Sequence, residues 1–155
     1  MERKTLTFIT HSPEETQQIG TVLGELVEKL VNKRAIVIGL NGVLGAGKTE
    51  LVKGIAHFFN IQEKILSPTF VIAKEFKVKK GHFINFWHFD LYRFNEFSNL
   101  IPLGWSDLIK EKENIILVEW ADKFKKQLLP DYIVSLQVVS KTERSIIIKR
   151  GRIYK

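Results

Sequence analysis

Cysteine is absent from this sequence of 155 residues, and no apolar run approaches the roughly 20 residues that cross a membrane. Without cysteine, neither disulfide bonds nor thiolate metal sites can form, and a reducing cytoplasm is the simplest setting. The first residues, Met1 to Leu6, lack the long apolar segment of a signal peptide. We therefore expect a soluble, cytoplasmic protein without a membrane partner.

Acidic residues are fewer than basic ones, 17 against 24, which gives a net charge of +7. In so small a protein this excess favours polyanionic partners such as nucleic acid, although an ordinary solvated surface explains it equally well. The basic residues concentrate in residues 77–80, 123–126 and 149–155. The last stretch contains one aromatic residue, Tyr154, and is a weak signal for nucleic acid because basic termini are usually only solvated.

The apolar content of 45%, with 11 phenylalanines, is sufficient for one hydrophobic core and argues against a disordered chain. We therefore expect residues 1–155 to form a single domain. Short helical patterns among mostly buried strands predict an α/β fold, with a central mixed, partly antiparallel sheet flanked by helices. The predicted elements are strands at 4–10, 35–40, 82–91, 115–118, 132–139 and 144–150, a helix from Ser12 to near Asn32, and a second helix ending near Asn60.

Local signals indicate where several of these elements begin and end. Ser12 is followed by Pro13 and Glu15, which is the pattern of a helix N-cap with a capping box. Pro68 restricts its neighbours, so residues 67–69 are predicted to form a rigid turn that enters a strand. Residues 77–81 are the predicted tip of a hairpin, and Ser106 is a candidate cap for a short helix in the least readable stretch, 94–114.

The segment from Gly42 to Thr49 fits the phosphate-loop pattern of a glycine, four residues and then Gly-Lys-Thr. A buried strand precedes it and a helical repeat of apolar residues follows it, which is the context that the pattern requires and which disfavours a chance glycine-rich turn. Glycines allow consecutive backbone N–H groups to surround phosphate oxygens at the positive end of the helix. Lys48 is placed to reach the terminal phosphates, and the Thr49 hydroxyl to bind Mg²⁺. The sequence therefore predicts a nucleotide-binding protein.

A bound Mg²⁺ needs a carboxylate partner, and two residues compete for that role. Glu119 ends an apolar strand, where a buried central strand would deliver its carboxylate to the edge of the sheet beside the phosphates. Asp90 ends the aromatic strand of residues 82–91, where a charged strand end is more ordinary. Glu119 is therefore the firmer assignment for the metal.

Two residues near these motifs each have two interpretations that the sequence leaves open. Thr69 either senses Mg²⁺ or the γ-phosphate, as switch segments do, or only satisfies local backbone groups. Arg93 either stabilises charge in the transition state or pairs with Asp90.

The aromatic residues near the site are interpreted as parts of its framework. Trp87 and Trp120 are predicted to be core or site-lining residues rather than catalysts. His82 and His88 lack the spacing of metal ligands and are interpreted as structural or surface residues, with little weight on catalysis.

Two functions other than a nucleotide-dependent switch stay open. The sequence has no Asn-Lys-x-Asp segment, so a guanine-specific hydrolase is disfavoured. A small-molecule kinase would use Asp90 and Arg93 to bind its acceptor, although no arginine-bearing lid is evident after residue 94. A basic nucleic-acid-binding module would keep the nucleotide site only as a structural element.

Four motifs in this order resemble the TsaE family, the small bacterial ATPases of tRNA threonylcarbamoyladenosine biosynthesis. The phosphate loop is the one motif that is specific by itself, but the ordered set is highly specific and spans most of the chain. The helix opening at residues 13–16 and the loop at 128–130 also match. The four motifs are Leu44-Gly45-Ala46-Gly47-Lys48-Thr49, Ser67-Pro68-Thr69-Phe70, His88-Phe89-Asp90-Leu91-Tyr92-Arg93 and Leu117-Val118-Glu119-Trp120.

The resemblance implies a P-loop α/β domain that binds ATP and Mg²⁺ and hydrolyses ATP slowly when alone. Its partners would be the proteins TsaD and TsaB, with TsaD carrying out threonylcarbamoyl transfer to adenosine 37 of tRNAs that read codons beginning with adenine. The ATP cycle of this chain would reset or license that complex between turnovers. Contact with tRNA would be direct or through the complex.

The resemblance also implies roles for individual residues. Lys48 would bind phosphates, while Thr49 and Glu119 would hold Mg²⁺. Asp90 would lie at the catalytic centre and position water, and Thr69 would belong to a nucleotide-responsive switch loop. The residues implied to contact the nucleotide are Thr16, Gly42, Leu44, Gly45, Ala46, Gly47, Lys48, Thr49 and Trp120.

Some positions depart from the family's pattern. Val43 stands where a polar or acidic residue is usual, and Glu50 where a second threonine is common. Neither departure removes a phosphate or metal ligand. Residues 94–104 match poorly.

Overall fold

The computed structural model describes residues 4–68 and 71–151. Its strands are β1 (Thr5–Thr10), β2 (Ile36–Asn41), β3 (Ala73–Lys77), β4 (Asn85–Asp90), β5 (Asn114–Glu119), β6 (Tyr132–Val138) and β7 (Arg144–Arg150). Its α-helices are α1 (Pro13–Glu28), α2 (Lys48–Phe58), α3 (Trp105–Leu108) and α4 (Lys125–Leu128), and 3₁₀ helices cover Phe97–Leu103 and Ala121–Phe124.

These strands form one sheet in the order β1-β7-β6-β2-β5-β4-β3. The centre of the sheet is parallel, because β2 pairs in parallel with β5 and β6, and β5 pairs in parallel with β4. The outer pairs β1–β7, β6–β7 and β3–β4 are antiparallel. The expected α/β fold with a mixed, partly antiparallel sheet is confirmed.

The central strands bring their carboxyl ends to one edge of the sheet. β2 and β5 are apolar along most of their length because both faces of the sheet are covered. The pairing register places Leu40 beside Glu119, and Glu119 beside Asp90. Open α/β sheets bind their ligands at this edge, and here it receives the phosphate loop between β2 and α2.

The first helix begins as the sequence predicts but ends earlier. The Ser12 hydroxyl accepts the N–H of Glu15 at 3.1 Å, while the Glu15 carboxylate accepts the N–H of His11 at 2.6 Å. The helix ends at Glu28 rather than near Asn32. The Asn32 side chain instead donates to the backbone carbonyls of Arg34 and Lys112, and so ties the connection to β2.

Other predicted boundaries are wrong for local reasons. The Pro68 carbonyl accepts the N–H groups of Val71 and Ile72, which closes a turn and delays β3 until Ala73. The strand predicted from residue 82 begins at residue 85. Gly104, with a positive φ of 85°, precedes α3, so Ser106 lies inside that helix and does not cap it.

Helices α1 and α2 cover one face of the sheet, and they cross at glycines with almost no space between their backbones. A Cβ atom at Gly54 would lie 1.9 Å from the Gln17 carbonyl oxygen, and one at Gly20 would lie 2.2 Å from the Leu51 carbonyl oxygen. Both atoms are backbone and cannot rotate away. The crossing therefore requires glycine.

We expect Gly54→Ala to destabilise the protein although alanine is the better helix former. The helix preference for alanine is worth about 1 kcal/mol, whereas forcing two helices apart typically costs about 1–3 kcal/mol or more. Thermal and urea unfolding would measure the difference. Gln18→Ala, on the exposed side of α1, is the matched control and should change the stability by less than about 0.5 kcal/mol. A Gly54→Ala protein as stable as the wild type would contradict so close a crossing of the two helices.

Candidate nucleotide-binding site

The phosphate loop uses its glycines for two different reasons. Gly45 and Gly47 have φ angles of 80° and 100°, in the left-handed region that other residues adopt at a cost. Gly42 is needed for space, because a Cβ there would lie 2.9 Å from the Leu136 carbonyl oxygen. Gly47 directly precedes α2, so the unpaired N–H groups of that helix point into the loop.

Lys48 is buried at the start of α2, with 6% of its surface exposed. Its Nζ donates to the Gly42 carbonyl at 2.5 Å and lies 4.1 Å from the centre of the Trp120 ring. Burial lowers the pKa of Lys48, against the opposing field of Glu119 and nearby acidic residues. The ammonium group is thus held at the loop at a cost in hydration, and an anionic phosphate would compensate that cost.

Two carboxylates lie at the same edge, as the strand ends predicted. Asp90 ends β4 and Glu119 ends β5, and only 5% and 3% of their surfaces are exposed. One oxygen of Asp90 accepts the N–H of Tyr92 at 2.8 Å, which fixes its direction. Two buried carboxylates facing one lysine form a donor set suited to a hydrated divalent cation.

His88 is the residue whose importance the sequence interpretation missed. It is fully buried, and its Nε2 lies 2.9 Å from an oxygen of Glu119. A carboxylate can only accept, so Nε2–H donates; Nδ1 has no hydrogen-bond partner among the described residues. The one signal in the sequence was the strand period of two, which puts His88 on the same face as Asp90. The pairing of β4 with β5 then brings His88 next to the strand that ends in Glu119. His82, in contrast, is exposed and contacts Glu28, as interpreted.

Trp120 closes the site on the side of β5. Its φ of 60° is left-handed, a conformation that costs about 1–3 kcal/mol in a residue other than glycine. The backbone N–H of Trp120 donates to the Leu40 carbonyl at 3.0 Å, and the centre of its ring lies 5.2 Å from that of the Tyr92 ring. This strained backbone holds the indole over Lys48, so the prediction of a site-lining role is consistent with its position.

These residues surround one cavity of about 570 Å³. Arg93 is exposed and does not line it, and Thr69 lies outside the described residues. The combination of the loop, one lysine and the two buried carboxylates fits a nucleotide phosphate chain with its Mg²⁺. The lining residues are Leu44, Gly45, Gly47, Lys48, Thr49, Glu50, Ser67, Asp90, Tyr92, Glu119 and Trp120.

A second cavity, of about 280 Å³, lies on the other side of the loop. Thr16 lines it together with Gly45 and Gly47, and its hydroxyl shares a buried 2.8 Å hydrogen bond with the Thr10 hydroxyl. Arg144 also lines this cavity and donates to the Gly45 carbonyl at 3.2 Å. The resemblance implied a nucleotide contact for Thr16, but the structure places Thr16 in this second cavity and not in the one lined by Lys48 and the two buried carboxylates. Arg144 was missed because no local pattern shows that the β6–β7 hairpin reaches the loop.

The strand, glycine loop and helix, with a buried lysine facing carboxylates at the ends of neighbouring strands, define a P-loop nucleotide-binding domain. The family model "Threonylcarbamoyl adenosine biosynthesis protein TsaE" matches residues 10–148. The chain belongs to the TsaE family, which takes part in tRNA threonylcarbamoyladenosine biosynthesis. The resemblance carried by the four motifs is confirmed.

Individual relatives agree with this assignment. The chain is 31% identical to the protein TsaE of Treponema pallidum, covering 90% of this chain and 97% of the relative. It is 34% identical to TsaE of Bacillus subtilis, covering 89% and 78% respectively. The crystal structure of Bacillus subtilis YdiB is similar with a TM-score of 0.73 and 28% identity, covering 98% of this chain and 89% of that chain.

Within residues 4–68 and 71–151, no helix is both long enough and apolar enough to cross a membrane.

Proposed function

We propose that this chain binds ATP with Mg²⁺ and hydrolyses it slowly, as the switch subunit that threonylcarbamoyladenosine formation at position 37 of tRNA requires. The tRNAs are those that read codons beginning with adenine, and the partners are the TsaD and TsaB proteins. The observation that carries the proposal is the burial of Lys48, Asp90 and Glu119 around one cavity at the start of α2.

Each residue has a chemical role in this proposal. Lys48 and the backbone N–H groups of the loop bind the phosphates, and the Thr49 hydroxyl and Glu119 carboxylate hold Mg²⁺. Mg²⁺, when bound, would neutralise charge on the phosphate oxygens. Asp90, whose direction is fixed by the Tyr92 N–H, orients the attacking water and accepts its proton.

The remaining residues position these groups and the nucleotide. The donation from His88 sets the direction of the Glu119 carboxylate. Trp120 covers Lys48 and excludes water from it. Thr16 lies on the other side of the loop, in the smaller cavity, where a ribose or base extending from the phosphates would lie. Thr69 keeps its proposed role as the nucleotide-responsive residue of the segment after Pro68.

The charges around the cavity support slow hydrolysis by the isolated chain. Lys48 is the one cation among the described residues that line it. In related chemistry an arginine supplied by a partner stabilises the transition state and raises the rate by about 10³–10⁵-fold. A site with only the loop lysine would bind ATP well but hydrolyse it poorly until a partner completes it.

We therefore expect the ATPase rate of the isolated chain to rise by at least about 10-fold when TsaD and TsaB are added together, within the range that one supplied charge can produce. Phosphate release at saturating ATP would measure the rate. Bovine serum albumin at equal concentration is the control for nonspecific stabilisation. A full enzymatic rate without partners, or no response to them, would contradict the proposed switch role.

A further inference from the structure

Two of the basic stretches, 123–126 and 149–155, are separated in the sequence but meet at a second surface of the protein. Lys125 and Lys126 from α4 line a groove of about 700 Å³ together with Lys149 from the end of β7. Arg150 borders the groove but follows Lys149 in the strand, so its side chain lies on the other face of the sheet, over the Tyr132 ring. Leu129 and Ile133 also line the groove. We call this surface the basic groove.

The sheet itself builds one wall of the basic groove. Lys149 pairs with Ile133 on one side and with Thr5 on the other, so the three side chains lie in a row on the same face. This face is opposite to the one covered by α1 and α2, and α4 packs near its border. The wall is rigid because Gly151 N–H donates to the Asp131 carbonyl at 2.7 Å, which ties the end of β7 to the loop before β6.

The cations of the basic groove are not neutralised by neighbouring carboxylates. Elsewhere lysines pair with acids, as Lys29 does with Glu25 at 3.0 Å. Among the described residues, no carboxylate forms a salt bridge with Lys125, Lys126 or Lys149. No acidic side chain of the described residues lines the groove.

Asp131 directly follows Pro130, which lines the groove, and its carboxylate is already engaged. The Asp131 carboxylate accepts two hydrogen bonds from Arg34, at 3.1 and 3.2 Å, and one from the Val37 N–H. Arg150 lies within the field of Asp131 and over the Tyr132 ring, 5.6 Å from its centre. The groove therefore keeps a net positive field that only an external anion can balance.

The basic groove is separate from the nucleotide site. It lies beside the amino end of β6, whereas Gly42 of the phosphate loop packs against Leu136 near the other end of that strand. The two cavities share no lining residue. A ligand in the groove would therefore leave the nucleotide site open.

We propose that the basic groove binds the phosphate backbone of a folded RNA, and that tRNA is bound there directly. Cations on two facing walls can contact successive phosphates, and such contacts supply affinity without reading sequence. Among the described residues no aromatic side chain lines the groove, so bases are not stacked and an acidic protein would find no aromatic anchor. The inference rests on the proposed role in tRNA modification but not on nucleotide hydrolysis.

The test measures the binding of a fluorescently labelled, unmodified tRNA by anisotropy over a series of salt concentrations. We expect wild-type binding to weaken steeply with salt. In Lys126→Ala/Lys149→Ala, affinity at low salt should fall by about 10-fold and the slope of log K against log salt should become shallower by about 1.5, close to the value for two lost phosphate contacts.

A matched control separates the groove from the overall charge. Lys110→Ala/Lys112→Ala removes two lysines outside the groove and lowers the net charge equally. We expect this variant to bind tRNA within about 2-fold of the wild type, because distant surface charges are screened. Equal losses in the two double variants, or no tRNA binding by the wild type, would overturn the proposal.

Two further measurements complete the test. Labelled poly-glutamate should bind more weakly than tRNA at every salt concentration, and equal binding would overturn the proposal in favour of an acidic protein surface. Mg²⁺-ATP affinity of the groove variant should equal that of the wild type. If the groove variant binds Mg²⁺-ATP and tRNA as tightly as the wild type, the proposed RNA site is refuted but the proposed function is not. If the wild type does not bind Mg²⁺-ATP, the proposed function is refuted but the RNA site is not.

Discussion

Lys48→Ala should weaken the binding of Mg²⁺-ATP by about 100-fold, which corresponds to about 2.7 kcal/mol. The lysine is buried at the loop, where its charge is poorly hydrated and its only hydrogen bond among the described residues is to the Gly42 carbonyl. Phosphates would replace that contact with charge-assisted hydrogen bonds, which are the strong ones in proteins. Isothermal titration calorimetry would measure the change.

The same substitution should change the stability of the unliganded protein only a little, because two effects oppose each other. Burial lowers the pKa of Lys48, so the folded chain holds the charged form at a cost in free energy that the substitution removes. The substitution also removes the cation that faces the buried carboxylates of Asp90 and Glu119, and thermal unfolding would measure the net change. Lys53→Ala, on the same helix, removes a surface pair with Glu50 and should change ATP affinity by less than about 3-fold. Unchanged ATP affinity in Lys48→Ala would show that phosphates bind elsewhere.

His88→Phe should weaken Mg²⁺ binding to the nucleotide-loaded protein by about 10- to 100-fold, the usual effect of removing a residue that orients a metal ligand. The phenyl ring fills much of the space but cannot donate to Glu119. The carboxylate would then be buried without its donor and free to turn away from the cation. Titration with Mn²⁺, followed by electron paramagnetic resonance, would measure the affinity directly.

Two variants distinguish positioning from packing. The amide of His88→Gln can donate from nearly the same position as Nε2, so it should recover at least part of the Mn²⁺ affinity that His88→Phe loses. ATP binding in the presence of EDTA should be equal in both variants, because no phosphate contact has changed. His82→Phe, at the exposed histidine, should behave as the wild type. Equal metal affinity in His88→Phe and the wild type would exclude the positioning role.

The parts of the site that are local in the sequence were predictable. The phosphate loop has a fixed spacing, and the backbone angles of Gly45 and Gly47 follow from it. The place of Glu119 at the carboxyl edge of the sheet was predictable because a buried central strand delivers its last residue there, whereas Asp90 was only a competing candidate. Neither inference required the order of all the strands.

The parts that depend on register or on distant segments were not predictable. His88 contacts Glu119 only because β4 and β5 are neighbours in one particular alignment. Arg144 reaches the loop across 99 residues of sequence. The turn after Pro68 ends in Ile72, which has a left-handed φ of 68°. A β-branched residue rarely adopts this angle, so the sequence does not indicate it.

The basic groove shows the same division. The sequence located residues 123–126 and 149–155 as basic stretches but offered no reason to place them together. Their meeting depends on the antiparallel pairing of β7 with β6 and on the position of α4. The residues beyond Gly151, which include the aromatic Tyr154, lie outside the described part of the chain.

The most direct measurement of the proposed function is threonylcarbamoyladenosine formation over many turnovers on tRNA by purified TsaD and TsaB, supplied with an activated threonylcarbamoyl donor. We expect continued formation when this chain and ATP are added, and arrest after about one turnover when the chain is omitted or replaced by Lys48→Ala. Digestion of the tRNA to nucleosides and mass spectrometry would count the product per TsaD. Sustained formation with Lys48→Ala, at the wild-type rate, would contradict the claim that the nucleotide site of this chain drives the cycle.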